Sequence, residues 1–286
     1  MLIVILLVTL RTESIIINQI IIMKVKSLLL ALVLPLFISV PAMAGKHWVA
    51  TWATAEQVVE PHNCPPAPYL ENNSIRQIVQ VSISGKKIRL KFSNEFSKGP
   101  VTINAAEVAI AATAGSSSDI VAGTEKSLTF NGSPSVTIQP GELVISDPIN
   151  FKLNNRENVA ITMHLGEASS TSVTGHPGSR TTSYIAEGQT SDFSNATATA
   201  HWYIINAIEV FAEKNARAVV VLGNSITDGR GSTTDQQNRW TDNLSRRLLE
   251  NKSTKRVAVL NMGLGGNCIL NGGPGPTGRS RYNRDL

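Results

Sequence analysis

The chain has 286 residues, of which 42% are hydrophobic, 16% are charged and 5% are aromatic. This composition is typical of a globular protein and excludes a collagen-like, fibrous or disordered chain. The net charge of +5 is not gathered into a basic stripe, so nucleic-acid binding is not expected. The two cysteines, Cys64 and Cys268, are too few for a disulfide framework or a cysteine-rich metal site.

Residues 1–44 differ in composition from the rest of the chain. Two lysines follow Met23 closely, an apolar run covers residues 28–40, and small side chains surround the position of Ala44. This order is typical of a secretory signal peptide that is cleaved after Ala44. The apolar run is shorter than the roughly 20 residues that a transmembrane helix needs.

Residues 1–22 are rich in Ile and Leu and allow two interpretations. They are either a second membrane segment or sequence upstream of a true start at Met23. We favour the second interpretation, because Met23 alone begins a complete signal. The mature protein is therefore expected to be secreted or periplasmic, with no stable membrane span.

β patterning begins at Trp48 and continues to Phe211. The clearest strand covers residues 88–92, where apolar and cationic side chains alternate. It follows residues 75–84 across Gly85-Lys86, which predicts a hairpin. Further short β runs occupy residues 101–110, 135–139, 143–146, 149–153, 158–165 and 202–211. We predict a β-sandwich, jelly-roll-like, over residues 45–212.

The pattern changes near residue 213. Residues 218–222 and 257–260 are continuous apolar runs, as expected for parallel strands buried on both faces. Between them, residues 239–250 have a helical period with Trp240, Leu244 and Leu248 on one apolar stripe. The three elements predict one βαβ unit, followed by a Gly- and Pro-rich loop to the last residue. Because two parallel strands do not make a domain, residues 213–286 are expected to be an incomplete α/β domain with a loosely ordered tail.

A serine follows the first of these strands, in the segment GNSITDG at residues 223–229. The carboxyl ends of parallel strands are where open α/β folds place their sites, and a Gly-flanked turn can project the hydroxyl of Ser225 into a crevice. The simpler interpretation of a lone Gly-x-Ser is structural. In that interpretation Ser225 helps the strand leave the sheet and Asp228 caps the next turn.

The second strand ends in the segment NMGLGGN at residues 261–267. Its glycines allow backbone N–H groups to approach a ligand, and such donors could stabilise an oxyanion formed at Ser225. A dinucleotide fingerprint would need glycine at the position of Cys268, so no such cofactor is expected.

Together these segments resemble the SGNH, or GDSL, hydrolases. Residues 223–229 resemble the first family block, with Asn224 in the usual place of Asp, and residues 261–266 are similar to the second block. The β region is similar to secreted bacterial members that carry an N-terminal β-sandwich, through WVATW at 48–52, NNSIRQ at 72–77 and GHPGSRTT at 175–182.

The resemblance implies a flavodoxin-like three-layer α/β domain. It also implies hydrolysis of carboxylic esters through an acyl-enzyme, without metal or cofactor. Ser225 matches the nucleophile, whose backbone N–H also serves the oxyanion hole. Gly266 matches the glycine that gives a second N–H to that hole.

The third family block, Gly-x-Asn-Asp, and the last, Asp-x-x-His, do not occur in this sequence. A serine hydroxyl without a base is a poor nucleophile. One hypothesis is therefore an inactive or incomplete part of a secreted esterase that acts on a small-molecule or polysaccharide ester. The alternative is a non-catalytic β-sandwich binding protein with a relic hydrolase tail.

Four other side chains allow a structural and a functional interpretation. His176 is either a surface-loop histidine, which is the simpler interpretation, or a surrogate base. Trp48 and Trp52 are either core residues, which is favoured, or a sugar-stacking face. Cys268 is expected to be a small buried residue rather than a reactive thiol.

Overall fold

A computed structural model describes residues 45–286, and the predicted leader, residues 1–44, lies outside the described part. The strands are β1 (His47–Ala53), β2 (Gln57–Val58), β3 (Ser74–Gln80), β4 (Gly85–Ser93), β5 (Val101–Ile110), β6 (Lys126–Leu128), β7 (Val136–Ile138), β8 (Leu143–Ile145), β9 (Ile149–Leu153), β10 (Asn158–Leu165), β11 (Thr174–His176), β12 (Ser183–Ala186), β13 (Thr197–Thr199), β14 (Trp202–Tyr203), β15 (Ile205–Ala212), β16 (Arg217–Gly223) and β17 (Val257–Gly263). The helices are α1 (Ser225–Asp228), α2 (Trp240–Glu250) and α3 (Gly278–Asp285). Among residues 45–286, none of the helices has the length and apolar character needed to cross a membrane.

Two antiparallel sheets make up most of the fold. One has the order β1-β15-β4-β8, with β9 also on β4, and the other has the order β13-β12-β3-β10-β5-β6, with β7 also on β5. A small third sheet has the order β14-β11-β2. Side chains from both large sheets share one apolar core, for example Phe92 of β4 and Ile161 of β10. This antiparallel arrangement is compatible with the predicted β-sandwich.

The predicted hairpin between residues 75–84 and 88–92 is wrong. Strand β3 pairs with β10 and β12, whereas β4 pairs with β15, β8 and β9 in the other sheet. Residues 81–84 cross between the two sheets, and Val81 and Ile83 are buried on the way. Alternating apolar side chains suit such a crossing as well as a hairpin arm, so the pattern alone could not identify the pairing partner.

The predicted strand–helix–strand unit is present at residues 217–263. Strands β16 and β17 pair in parallel, from Arg217 opposite Val257 to Gly223 opposite Gly263. The other edge of β17 faces the sandwich, where Asn261 forms a parallel bridge with Thr54. Buried Ala258 of β17 belongs to the same apolar core as the two antiparallel sheets.

Helix α2 begins and ends close to its predicted bounds but buries a different face. Trp240 is 45% exposed, while Thr241 and Ser245 are buried. Thr241 Oγ1 accepts a hydrogen bond from Asn261 Nδ2 at 3.1 Å, and Leu249 is the side chain of α2 that packs against the main apolar core. The prediction that Trp240 lies on the buried stripe is therefore wrong.

Residues 264–277 contain no helix or strand, as predicted, but helix α3 replaces the last part of the predicted loop. Thr277 caps it by accepting a hydrogen bond from Ser280 N at 3.3 Å. The helix has little apolar character, and its largest buried side chain is Arg281, which is 0% exposed. A helix held by a buried cation has no apolar period, which is why the sequence pattern did not predict it.

Candidate functional site

Ser225 is the first residue of α1, directly after β16 and the N-cap Asn224. The Asn224 side chain accepts a hydrogen bond from Ile226 N at 3.2 Å. Asn and Asp are comparable at an N-cap, so Asn224 caps this turn as an aspartate would. The Ser225 side chain is half-buried at the carboxyl end of a parallel strand, as predicted.

Helix α1 packs directly on the end of β17. A Cβ added at Gly263 would lie 2.1 Å from Asp228 N, so the turn can approach this closely only over glycine. Asn261 Nδ2 donates to Thr227 O at 2.8 Å. Residues of the second family-like segment therefore hold the segment that carries Ser225.

Gly266 lies in an exposed turn that follows β17. Its φ is +68°, and Asn267 N donates to Leu264 O at 3.1 Å to close the turn. Leu264 N donates to Gly223 O at 3.1 Å, so the segments that follow β16 and β17 leave the sheet side by side. Ser225 and Gly266 thus follow neighbouring strands, and their roles as nucleophile and oxyanion donor stay predictions.

Arg281 of α3 forms hydrogen bonds at the ends of both β16 and β17. Its guanidinium donates to Gly223 O at 3.0 Å, to Met262 O at 2.8 Å and to Asn267 Oδ1 at 2.9 Å. Asp285 of the same helix pairs with it. Because both carbonyls belong to strand ends, Arg281 fixes the edge of the sheet from which both candidate residues emerge.

A cavity of about 730 Å³ opens at the same strand ends. Its size falls within the roughly 300–1,000 Å³ of small-molecule sites. The lining combines apolar and polar side chains: Leu222, Asn224, Thr227, Asn267, Cys268, Ile269, Arg279, Tyr282 and Asn283. Cys268 is half-buried on this wall, which corrects the expectation of a buried residue.

His176 is not the surface-loop residue expected from the sequence. It is 4% exposed, its Nδ1 lies 2.7 Å from Ala55 O, and its Nε2 lies 3.0 Å from Asp228 Oδ1. The Asp228 side chain therefore pairs with a histidine of β11 instead of capping the next turn. Since both ring nitrogens are engaged, neither is free to accept a proton from Ser225.

The other histidines of residues 45–286 also bond away from Ser225. The nearest partners of their ring nitrogens are Ala216 O for His47 at 3.1 Å, Ser74 Oγ for His164 at 2.8 Å and Pro177 O for His201 at 2.6 Å. His62 is exposed on a 3-10 turn. In the described residues, the two predicted strand-end residues therefore follow neighbouring strands, and no histidine ring nitrogen bonds to Ser225.

The two tryptophans of the WVATW segment have different environments. Trp52 is buried and meets Trp202 edge-on at 5.1 Å between ring centroids, as a core residue does. Trp48 is half-buried beside Phe211 at 5.3 Å, and the Arg89 guanidinium lies 4.5 Å from the Trp48 ring. Of these two tryptophans, Trp48 is therefore the one that is partly exposed.

Residues 45–286 contain no group of three or more His, Cys, Asp or Glu side chains arranged to hold a metal ion. No model of a known protein family matches the chain. No curated protein matches it significantly either.

Proposed function

We propose that the chain is a serine ester hydrolase of the SGNH type. Ser225 would be the nucleophile, and the backbone N–H groups of Ser225 and Gly266 would hold the oxyanion. The observation that carries the proposal is the position of Ser225 at the first residue of a helical turn, at the carboxyl end of a parallel strand and beside the segment of Gly266. Sites of open α/β folds lie at such strand ends.

The chemistry follows from this position. The N–H groups of the first turn of a helix have no partner within the helix, so Ser225 N is available to a developing negative charge. The cavity next to Asn224 and Thr227 would receive the acyl or alcohol group of the ester. We also propose, from the signal sequence, that the protein is exported and acts on a small-molecule or polysaccharide ester.

The described histidines do not supply the general base that a serine nucleophile needs. A serine hydroxyl without a base is a weak nucleophile, which reacts slowly and only with esters that have a good leaving group. We therefore expect slow turnover of activated esters, with a rate that depends on Ser225.

Hydrolysis of 4-nitrophenyl acetate and butyrate by the purified protein tests the proposal. Ser225→Ala should reduce turnover to the buffer rate. Ser253→Ala, at an exposed position after α2, should leave it unchanged. Turnover that survives Ser225→Ala would show that the serine assignment is wrong.

The second candidate function is a non-catalytic sugar-binding β-sandwich. Two observations favour it: no described histidine bonds to Ser225, and Trp48 is a half-buried aromatic residue beside Phe211, which is 37% exposed. Binding to insoluble xylan or cellulose that Trp48→Ala abolishes, together with no Ser225-dependent turnover, would favour this function over hydrolysis.

A further inference from the structure

The buried pair of His176 and Asp228 connects the sandwich to the turn that carries Ser225. The side chains of His176 and Asp228 are 5% and 2% exposed. His176 belongs to β11, in the small sheet with β14 and β2, whereas Asp228 is the last residue of α1. One hydrogen bond of 3.0 Å thus joins two segments 52 residues apart in sequence.

The hydrogen-bond partners of the pair determine where its protons lie. Ala55 O is a carbonyl and only accepts, so His176 Nδ1 must carry a proton. A further proton lies between Nε2 and the Asp228 carboxyl group, on one atom or the other. The pair is therefore neutral as a unit in both arrangements, which is how a buried pair avoids an uncompensated charge.

The sandwich segment also encloses the other carboxyl oxygen of Asp228. A Cβ added at Gly178 would lie 2.1 Å from Asp228 Oδ2, so only glycine leaves room for the carboxyl group here. The Trp202 ring covers His176, with 5.7 Å between the ring centroids. The GHPGSRTT segment at residues 175–182 therefore binds the end of α1.

The helical conformation of α1 depends on contacts with other elements of the fold. It has four residues, far fewer than the roughly 12–15 at which an isolated helix becomes even marginal. Its conformation is fixed from the β17 side by Asn261 and Gly263, and from the sandwich side by His176.

We propose that His176 is a positioning residue, through which the β-sandwich holds the α1 turn and so fixes the Ser225 hydroxyl. The role for Ser225 rests on the proposed function, whereas the hold on α1 does not. In this arrangement the sandwich contributes to the site without touching substrate.

Hydrogen exchange of the full chain, followed by mass spectrometry, tests the hold on α1. His176→Phe keeps a ring and removes the hydrogen bond to Asp228, so it should raise the exchange rate of amides in residues 225–231 by about tenfold. His164→Phe makes the same change in β10, where the histidine bonds to Ser74, and should leave residues 225–231 unchanged. Unchanged exchange in a folded His176→Phe variant would overturn the proposal.

A second pair of variants covers the case in which His176→Phe does not fold. Asp228→Asn can still form a hydrogen bond, because its amide N–H donates to Nε2 of a neutral imidazole. Exchange near that of the unmodified protein for Asp228→Asn, with fast exchange for Asp228→Ala, supports the hold. Equal exchange in the two variants contradicts it.

Ester hydrolysis tests the link to Ser225. In His176→Phe, kcat should fall about tenfold while KM stays within about twofold, because the cavity lining from residues 267–269 and 278–283 lies outside α1. Faster exchange with unchanged kcat would overturn the positioning role. If the unmodified protein shows no Ser225-dependent hydrolysis, the proposed function fails, and the exchange data alone decide the hold on α1.

Discussion

Glu56 is a buried carboxyl group whose ionisation differs strongly from that of an exposed glutamate. It follows β1, is 2% exposed and accepts a hydrogen bond from Asn206 Nδ2 at 3.0 Å. Burial raises its pKa from 4.5 to about 8, although hydrogen bonds from Ser93 and Asn206 oppose the shift. The neutral acid is therefore the form that the fold prefers at neutral pH.

This shift predicts how stability depends on pH. Between pH 4.5 and 8 the folded state binds a proton that the unfolded state has released, so the Glu56 contribution to the free energy of unfolding falls as pH rises. It is fully present below pH 4.5 and lost above about pH 8, a change of up to about 5 kcal/mol. Glu56→Gln should remove this slope in urea unfolding at pH 5, 7 and 9. Glu71→Gln, at an exposed position, should keep it, and equal slopes for both variants would contradict the prediction.

The residues that sequence reasoning missed at the site are polar and buried. Motif spacing predicted that Ser225 and Gly266 follow neighbouring parallel strands, and the backbone places them there. It did not predict Arg281 or the partner of His176. A buried polar side chain is stabilised by acceptors distant in sequence, here Gly223 O and Ala55 O. Neither pairing leaves a period or a motif in the sequence.

At the level of elements, strands were predicted well where local pattern decides the structure. Residues 101–110, 149–153 and 158–165 are strands β5, β9 and β10 with the expected bounds. The predictions failed where a distant partner decides, as in the pairing of β3 and β4 and the buried face of α2. Register and partner choice depend on contacts across the sheet, which a period of two does not encode.

Strand β16 has an open side in the described part of the chain. Among residues 45–286 it pairs with β17, and Val219 in its middle is 43% exposed. Apolar strand edges promote self-association, and lysine on such a strand opposes it.

Val219→Lys should therefore reduce self-association. Sedimentation equilibrium over a series of protein concentrations should show a lower weight-average molar mass for this variant. Val121→Lys is the matched control, because Val121 is 46% exposed and lies outside the strands. If Val121→Lys has the same effect as Val219→Lys, general surface charge and not the β16 edge explains the change.

At the level of the whole molecule, the sandwich and the β16–β17 unit share a junction. Ser82, between β3 and β4, donates to Val259 O at 2.9 Å and accepts from Val259 N at 3.1 Å. Its side chain thus satisfies the backbone of β17 in the way that a neighbouring strand would. Ala258 and Leu260 on either side belong to the main apolar core.

This junction predicts that the two parts unfold together, in contrast to the loosely ordered tail expected from sequence. Ser82→Ala leaves both backbone groups of Val259 without their partner and should lower the free energy of unfolding by about 2 kcal/mol. Because the core is shared, hydrogen-exchange protection in β3 and in β17 should fall by the same free energy. Ser84→Ala, exposed two residues further on, should change neither. A loss of protection confined to residues 213–286 would mean that the α/β part opens on its own.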